Sequence, residues 1–392
     1  MRILLLGALP CVLVAQASAP LSYDDILQRA RTSPEQLRTK ALLAGRERQL
    51  RGTSGLLREG PSVGLSAGSR TSSLSPSTTD RSVQVDLPLF LSPSTQRRLE
   101  EALGKADPTL RESARIETRF RLRQAYLDAW LAEILMGLRE ADLRTVQTWL
   151  KAARARLEAG ADPAFQVSLV EGEDLRAQLD LDEARRTRFL TWANLRTLAV
   201  VPETPVPLAD PGDPVPLSPS DLPTRFERSS LRHALQARLE LEEQTLRQQE
   251  ALATSRWSLR GSTSKEGPER ITTLGVAYRF PRPSETRAIH RETEANLSAT
   301  RQELEIARME LEARFQSALI RLQSTSAPTP FTAFDTALRA VGLRLSEGKE
   351  RPSEALPIRR QLLEAQVASL RRLHAAHLLT AELQALTDGN NP

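Results

Sequence analysis

Val83-Gln84-Val85-Asp86-Leu87-Pro88-Leu89-Phe90 carries the strongest structural signal in this chain. Apolar side chains alternate with polar ones, which predicts a strand with one apolar face that ends near a proline. A similar stretch, Leu274-Gly275-Val276-Ala277-Tyr278-Arg279-Phe280-Pro281, occurs again much later in the chain. A strand pattern that returns with the same proline exit indicates a duplicated structural unit.

The two copies contain the same predicted elements in the same order. Each has a helix, two strands joined by a polar loop, and a long helical hairpin that turns at a glycine. Pro281 minus Pro88 is 193, and Gly348 minus Gly160 is 188, so the spacing between the copies changes little along the chain. We therefore predict a first repeat over 20–200, a linker over 201–223 and a second repeat over 224–392.

Each repeat has its own predicted boundaries. The predicted strands cover about 62–70, 82–90, 256–264 and 271–280, and the helical hairpins cover about 97–199 and 284–386. Thr71–Asp80 is rich in Ser, Thr and Pro and predicts a loop. Asp107-Pro108 predicts the start of a helix that would run from Thr109 for about 75 Å at 1.5 Å per residue. Eight prolines in 201–223 predict an extended linker.

The helical parts show the spacing of coiled coils. Leu127, Leu131, Ile134 and Leu138 follow one another at intervals of 4, 3 and 4 residues, which is typical of an apolar coiled-coil stripe. The stretch from Ser324 to Pro330 interrupts this pattern in the second repeat. Because Pro328 and Pro330 both lie in it, a kink or bulge is expected there.

Composition restricts the kind of partner. Lys and Arg number 54 against 49 Asp and Glu, but the basic residues are dispersed among acidic ones on helical patterns. Solvated helix faces explain them better than a nucleic-acid surface, so no nucleic-acid partner is predicted. Aromatic residues make up only 4% of the chain, which is few for a compact globular core.

The first residues predict a secretory signal over 1–19. Arg2 precedes the apolar stretch Ile3–Val14, and Ala17-Ser18-Ala19 fits a cleavage site. Cys11, the only cysteine, is either a lipid-bearing residue or part of the removed signal, and the second interpretation fits its neighbours better. No other stretch approaches 18 consecutive apolar residues, so any membrane crossing would use strands closed into a barrel.

The ordered set of motifs resembles the TolC-like outer membrane efflux proteins, in a divergent form. The resemblance covers essentially the whole chain after the predicted signal, and its local matches are Val83 to Phe90, Leu157-Glu158-Ala159-Gly160, Leu345-Ser346-Glu347-Gly348 and Leu362-Leu363-Glu364-Ala365-Gln366. It implies a mainly α fold with a small β part. Three protomers would pool their strands into a twelve-stranded outer membrane β-barrel joined to an α-helical periplasmic tunnel.

The resemblance also implies a function and partners. The chain would be the outer membrane duct of a tripartite efflux or export system and would extend into the periplasm. It would be a passive conduit for small molecules, metal ions or proteins from the periplasm to the exterior. Its partners would be two further copies of itself, outer membrane lipid, a periplasmic adaptor and an inner membrane pump. The alternative is a periplasmic coiled-coil adaptor or scaffold. The sequence does not identify the exported substrate.

The same resemblance assigns roles to particular residues. The lipid-facing candidates are Val83, Val85, Leu87, Trp257, Tyr278 and Phe280, and the lumen-facing candidates are Gln84, Asp86 and Arg279. From the residues alone, a soluble hairpin with one buried face is an equally good interpretation.

The glycine turns at Gly160 and Gly348 would be the tips where partners dock. Glu354 falls where the family can carry a gating carboxylate, although a solvated glutamate at a helix start explains it more simply. Pro357 occupies the place of a second acidic residue, and Asp162-Pro163 replaces a small flexible turn.

No catalytic set or cofactor motif is found, and no enzyme activity, cofactor or metal is predicted. His374 and His377 have the i, i+3 spacing of a metal pair, but no third ligand accompanies them. A polar helix face is the favoured interpretation of these two histidines.

Overall fold

The computed structural model describes residues 19–53, 62–72, 75–89, 93–254, 257–266, 269–278, 280, 283–324, 331–347 and 349–388. Of the predicted signal, only Ala19 is among these residues. Cys11, Arg279 and Gly348 lie outside them. The elements in chain order are α1 Tyr23–Gln28, α2 Pro34–Thr53, β1 Ser62–Ser72, β2 Ser75–Leu89, α3 Pro93–Glu158, α4 Ala164–Leu198, α5 Leu222–Glu227, α6 Ser230–Thr254, β3 Trp257–Glu266, β4 Glu269–Tyr278, α7 Pro283–Ser324, α8 Phe331–Ser346 and α9 Pro352–Thr387.

A side-chain cap marks the start of helix α2. The Ser33 hydroxyl accepts a hydrogen bond from the Gln36 N–H at 3.1 Å, and the Gln36 side chain accepts one from the Ser33 N–H at 3.3 Å. This reciprocal pairing is a capping box, and Pro34 occupies the first helical position, where its missing N–H costs nothing. Helix α2 therefore begins at Pro34, directly after its Ser33 cap.

Helix α3 begins well before the predicted start. Asp107-Pro108 does not cap a helix, because α3 runs without a break from Pro93 to Glu158 with Pro108 inside it. Buried residues on both sides of the proline explain why the helix continues: Leu99 and Ala106 are 0% exposed, and Leu110 is 8% exposed. Tertiary packing therefore outweighs the intrinsic cost of an interior proline, about 3 kcal/mol.

The strands form one antiparallel sheet in the order β1-β2-β3-β4. Strand β2 pairs on one side with β1, where Val83 lies opposite Leu65, and on the other with β3, where Val83 lies opposite Thr263. The hairpins of the two repeats are thus joined into a single sheet. Strand β2 begins at Ser75, within the stretch predicted as a loop, because pairing with β1 continues to Ser72.

The chain divides into two compact units, and each takes residues from both repeats. The first unit contains the described residues of Met1–Arg31, Arg121–Pro216 and Thr325–Ala381. The second unit contains the described residues of Thr32–Phe120, Leu217–Ser324 and Glu382–Pro392, and it includes the sheet.

In the first unit, the proline-rich linker packs onto the helices. The Tyr126 hydroxyl donates to the Ala209 carbonyl, and the Trp192 indole N–H donates to the Pro202 carbonyl at 2.9 Å. Glu133 accepts from the Leu208 N–H at 2.9 Å. Burial raises the pKa of Tyr126 to about 12, so its hydroxyl stays protonated and donates. The segment predicted as an extended linker is therefore a fixed part of this unit up to Pro216.

The core of the second unit is made by α2, α3 and α6. Leu43, Leu99 and Leu241 are at most 1% exposed and belong to one cluster of buried residues. Beside this cluster, Arg46 of α2 pairs with Glu242 of α6 at 2.6 Å. These contacts bring corresponding helices of the two repeats together.

In the second repeat, α7 ends at Ser324 and α8 begins at Phe331. Pro328 and Pro330, at which a kink or bulge is predicted, lie outside the described residues. Among the described helices, none is long and apolar enough to cross a membrane.

Candidate functional site

The sheet has one continuous apolar face. Antiparallel pairing places the side chains of directly opposite residues on the same side of the sheet. Val85 lies opposite Val63 and Gly261, and Leu87 lies opposite Leu259, which lies opposite Val276. We call this side the apolar face; its members include Val63, Leu65, Val83, Val85, Leu87, Trp257, Leu259, Leu274, Val276 and Tyr278.

Little of the described chain covers the apolar face. Leu65 is 77% exposed and Leu274 is 78% exposed, whereas a face buried in a soluble core would be shielded. A contiguous exposed apolar surface of this kind marks a membrane or partner interface. The interpretation as a soluble hairpin with one buried face does not fit these exposures.

Aromatic side chains gather at the helix end of the apolar face. Trp257 and Tyr278 are directly opposite in the register, with ring centroids 4.9 Å apart. Phe280 meets Tyr278 edge-on at 5.2 Å and is 82% exposed. Trp and Tyr are enriched at membrane–water interfaces, because their rings combine an apolar body with a polar tip.

The opposite side of the sheet, the polar face, carries a charged group. Arg260 of β3 donates from Nε to an Asp86 carboxylate oxygen of β2 at 2.7 Å, and the Gln84 amide donates to the other oxygen at 2.7 Å. Two of the three lumen-facing candidates are thus brought together, while Arg279 lies outside the described residues. Arg260 was not among the sequence candidates, although its strand alternates as β2 does.

Hydroxyl groups line much of the rest of the polar face. Ser66 and Ser82 hydroxyls are 2.6 Å apart, and those of Ser262 and Thr273 are also 2.6 Å apart. Ile271 is an apolar exception on this face. A surface of hydroxyls with a compensated ion pair is suited to contact with water.

In the first unit, the turn after α3 is built on Gly160. Its φ of +72° is a left-handed conformation that glycine adopts without strain. The Ala161 N–H donates to the Arg156 carbonyl at 2.8 Å, as in a helix end closed by a glycine. Arg156 also pairs with Asp162 at 3.5 Å and donates to the Leu345 carbonyl.

The start of α9 is held against this turn. The Ser353 N–H donates to the Gln166 side-chain oxygen at 3.3 Å, and the Gln166 amide donates to the Ser353 hydroxyl at 3.5 Å. Leu345 and Leu356 are buried in a cluster with Trp149. The two glycine-turn regions of the repeats are therefore packed together, at least for the residues that the structure describes.

Glu354 lies in the first turn of α9 and its side chain is exposed. Its backbone N–H donates to the Arg351 carbonyl at 3.0 Å. A carboxylate in the first turn also stabilises a helix through the macrodipole. The single chain therefore fits both interpretations of Glu354, and Gly348, the other predicted tip residue, lies outside the described part.

A buried ion cluster lies further along the same helices. Arg359 of α9 is 2% exposed and pairs with Asp142 of α3 and with Glu173 of α4, the latter at 3.3 Å. Arg360 pairs with the other Glu173 oxygen at 2.6 Å. The Arg359 guanidinium also lies 5.2 Å from the centre of the Trp149 ring. Burial lowers the pKa of Arg359 to about 10. Because this value is still well above 7, the guanidinium remains charged at neutral pH.

Sequence reasoning missed this cluster, although a signal was available. Leu356, Leu363 and Leu370 recur every seven residues and are buried. Arg359 follows Leu356 by three residues and precedes Leu363 by four, so it occupies the second inward-facing position of the heptad. A charged residue at that position indicates a buried partner.

The interpretation of His374 and His377 as a polar helix face is wrong for His377. His377 is 3% exposed and lies edge-on to Trp130 at 6.0 Å, because it continues the seven-residue spacing from Leu370. Burial lowers its pKa. His374 instead hydrogen-bonds to Asp128 at 2.9 Å. Among the described residues, no group of three or more His, Cys, Asp or Glu could hold a metal ion.

The comparisons with known proteins agree with this architecture. Residues 57–199 match the family described as outer membrane efflux protein, whereas no curated protein matches the sequence. The outer membrane channel CmeC of Campylobacter jejuni has a similar structure, with a TM-score of 0.71 and 13% identity over 93% of this chain and 85% of that one.

Two other solved structures give the same result. The outer membrane protein VceC of Vibrio cholerae has a TM-score of 0.66 and 15% identity, over 94% of this chain and 95% of that one. The open state of the MtrE outer membrane channel of Neisseria gonorrhoeae has a TM-score of 0.60 and 17% identity, over 94% and 88%. At these identities the likeness establishes the fold, and the predicted mainly α fold with a small β part is confirmed.

Proposed function

We propose that this chain is an outer membrane efflux protein, since the model of that family matches residues 57–199, and that it works as a homotrimeric duct that receives cargo from a periplasmic adaptor and an inner membrane pump. That family is described as outer membrane efflux proteins, and the structurally similar CmeC is an outer membrane channel.

The observation that carries the proposal is the four-stranded sheet with an uncovered apolar face and two open edges. Within the described chain, β1 pairs only with β2, and β4 pairs only with β3. An open strand edge has unsatisfied backbone groups, which cannot be left exposed to lipid. Pairing of β4 of one copy with β1 of the next would remove both edges, and three copies would supply twelve strands.

The two faces of the sheet then receive distinct environments. The apolar face, with Val83, Val85, Leu87, Trp257 and Tyr278, would contact lipid, and Phe280 would extend the aromatic end. The polar face, with Gln84 and Asp86, would line the aqueous lumen, as in barrels whose strands alternate between lipid and water.

The glycine turns would form the periplasmic end. The Gly160 turn is held by Arg156 and by the start of α9, which gives an adaptor a fixed surface to dock on. We propose that three copies of Glu354 form an acidic ring there, which would attract cations and restrict flow. Pro357 lies where a second acidic residue would be needed, so only a single ring is proposed.

Membrane fractionation and bilayer recording test the proposal together. We expect the full chain in the outer membrane fraction, as a trimer by native mass measurement. In planar bilayers the purified trimer should give stepwise conductance. A monomer in the soluble periplasm would contradict the duct and would support the adaptor hypothesis instead.

Partner docking needs a separate experiment. We expect a photo-crosslinker at the exposed Ala161 in the Gly160 turn to capture an adaptor in cells, and a crosslinker at the exposed Arg111 of α3 to capture none. Equal capture by both positions, or capture by neither, would contradict docking at this turn.

A further inference from the structure

We propose that three basic residues at the loop end of the apolar face bind the phosphate group of an outer membrane lipid headgroup. Arg81 lies directly opposite Lys265, and Lys265 lies directly opposite Arg270, on three neighbouring strands. We call these three residues the basic row. The inference rests on the proposed function, because it requires the apolar face to contact lipid.

The basic row lies on the apolar face and not on the polar one. Arg81 precedes Val83 by two residues, and Lys265 follows Thr263 by two, so alternation keeps each on the same side as its neighbour. Opposite pairing places Arg270 on that side as well. Glu269 is adjacent to Arg270 in the strand, so its side chain points to the other face.

The three cations have no acidic partner among the side chains that the structure describes. All three side chains are exposed, and among the described residues none of them makes an ion pair. Arg270 donates from Nε to the Thr263 hydroxyl at 3.3 Å, which directs its guanidinium over β3. Like charges directly opposite each other on paired strands are destabilising, so an anion bound across the row would relieve the repulsion between them.

The position of the row along the strands matches a membrane boundary. Lys265 follows Trp257 by eight residues, and Tyr278 follows Arg270 by eight, so the basic row and the aromatic end are about 26 Å apart along the strand at 3.3 Å per residue. Strands of membrane barrels tilt by about 40°, which reduces this to about 20 Å across the membrane, comparable with an apolar band about 25 Å tall.

The two ends of the band differ in chemistry. The aromatic end adjoins the helices, since β2 leads to α3 and β4 leads to α7. The basic row lies beside the β3–β4 connection, and on β2 it lies six residues after Ser75, where β2 begins. This end of the strands points away from the helices and is the exterior side in the proposed duct. Guanidinium groups form paired, charge-assisted hydrogen bonds with phosphate oxygens. A headgroup phosphate beside the strands would therefore meet donors from three neighbouring strands.

Native mass spectrometry of the full-length protein in neutral detergent can test this site, with phosphatidic acid as the probe. We expect one tightly bound phosphatidic acid per chain, and no comparable binding of diacylglycerol, which has the same tails without the phosphate. Combining Arg81→Gln, Lys265→Gln and Arg270→Gln should weaken phosphatidic acid binding about 100-fold, given the usual contribution of each cation near anionic lipid.

Matched variants separate a defined site from a general loss of charge. Arg144→Gln, Lys151→Gln and Arg186→Gln together remove the same charge from exposed helix positions and should leave binding unchanged. Arg81→Lys with Arg270→Lys keeps the charge and should retain most of the binding. Intact trimer mass for every variant excludes misfolding as the cause.

Several results would overturn the proposal. The first is equal phosphatidic acid binding by the parent and by the triple variant of the basic row. The second is an equal loss of binding in the triple variant of the helix positions. The others are equal binding of diacylglycerol and displacement of the lipid by inorganic phosphate at the same concentration. The last result would make free phosphate the occupant. If the parent conducts and fractionates with the outer membrane but shows no preference for phosphatidic acid, this inference fails while the proposed function stands.

Discussion

Arg359, Gln366 and His377 occupy inward-facing heptad positions of α9, where coiled coils usually carry apolar residues. Each is at most 5% exposed. Polar residues at such positions lower stability but restrict which helix register can form. In this chain the register of α9 is restricted specifically, because Arg359 pairs with a carboxylate on α3 and with another on α4.

Replacing Arg359 should destabilise the first unit strongly. Arg359→Ala leaves Asp142 and Glu173 buried without their common partner, and breaking a buried pair from one side costs about 3–5 kcal/mol. Thermal unfolding followed by circular dichroism measures the change. Arg360→Ala is the matched control, because Arg360 binds the same Glu173 but is largely exposed, and it should have a much smaller effect. Equal effects of the two variants would show that burial is unimportant here.

His377 should make the folded protein less stable in acid. Burial lowers its pKa below the ordinary 6.5, so as pH falls the unfolded chain takes up the proton first and folding is penalised. The contribution is complete above about pH 6.5 and is lost as pH falls toward the lowered pKa. We expect the unfolding temperature of the parent to fall more than that of His377→Gln between about pH 7.5 and 5.5.

His290 provides a control of opposite sign. Its hydrogen bond with Glu250 raises its pKa, so its contribution is present below about pH 6.5 and is lost as pH rises through the raised value. His290→Gln should therefore lose more stability than the parent on acidification. If His290→Gln and His377→Gln changed the pH response in the same direction, the assignment of His377 as a buried neutral group would be wrong.

The sheet derives its properties from the register between strands more than from any one strand. Alternation within β2 or β4 defines two sides, but only the β2–β3 pairing aligns the sides of the two repeats. With that alignment, apolar residues of all four strands form one surface and the Asp86–Arg260 pair forms on the other. A shift of one residue in this pairing would place Leu259 beside Asp86.

Neighbouring positions on β4 test which side contacts lipid. Leu274 lies on the apolar face, and Thr273 lies on the polar face, where its hydroxyl is 2.6 Å from that of Ser262. An arginine on the lipid side near the bilayer midplane costs about 2–4 kcal/mol, whereas lumen positions tolerate it. We expect Leu274→Arg to reduce the yield of trimer in the outer membrane, and Thr273→Arg to leave it near the parental level. The opposite order would reverse the two faces.

The assembled duct depends on symmetry that no single chain contains. One chain presents four strands with open edges and one Glu354, and an exposed carboxylate alone has little influence on ion flow. Three copies around an axis would close the edges and bring three carboxylates together. The proposed gate is therefore a property of the trimer.

Glu354→Gln should reduce cation preference in planar bilayers, because it removes three negative charges from the proposed ring while preserving side-chain shape. The reversal potential under a salt gradient measures this, most sensitively at low ionic strength, where screening is weak. Glu364→Gln, an exposed glutamate on the same helix, is the control and should leave the reversal potential unchanged. An unchanged potential in Glu354→Gln would favour the simpler interpretation, a solvated glutamate at a helix start.

The amino-acid sequence determined the elements and their duplication. Strand alternation has a period of two and coiled-coil spacing a period of seven, so both can be recognised from neighbouring residues alone. The same local signals led to the resemblance to outer membrane efflux proteins, and the model of that family matches residues 57–199. Local signals failed at Pro108, where packing on both sides keeps α3 continuous.

The remaining features depend on which distant residues meet, and the tertiary structure was needed to find them. The joining of the two hairpins through β2 and β3, the burial of Arg359 and the alignment of Arg81 with Lys265 all link residues more than 150 positions apart in the chain, beyond the reach of any local period. For the sheet, a register offset of one residue would reverse the faces. The sequence therefore specifies two similar repeats, and the pairing of their hairpins forms one sheet with an apolar and a polar side.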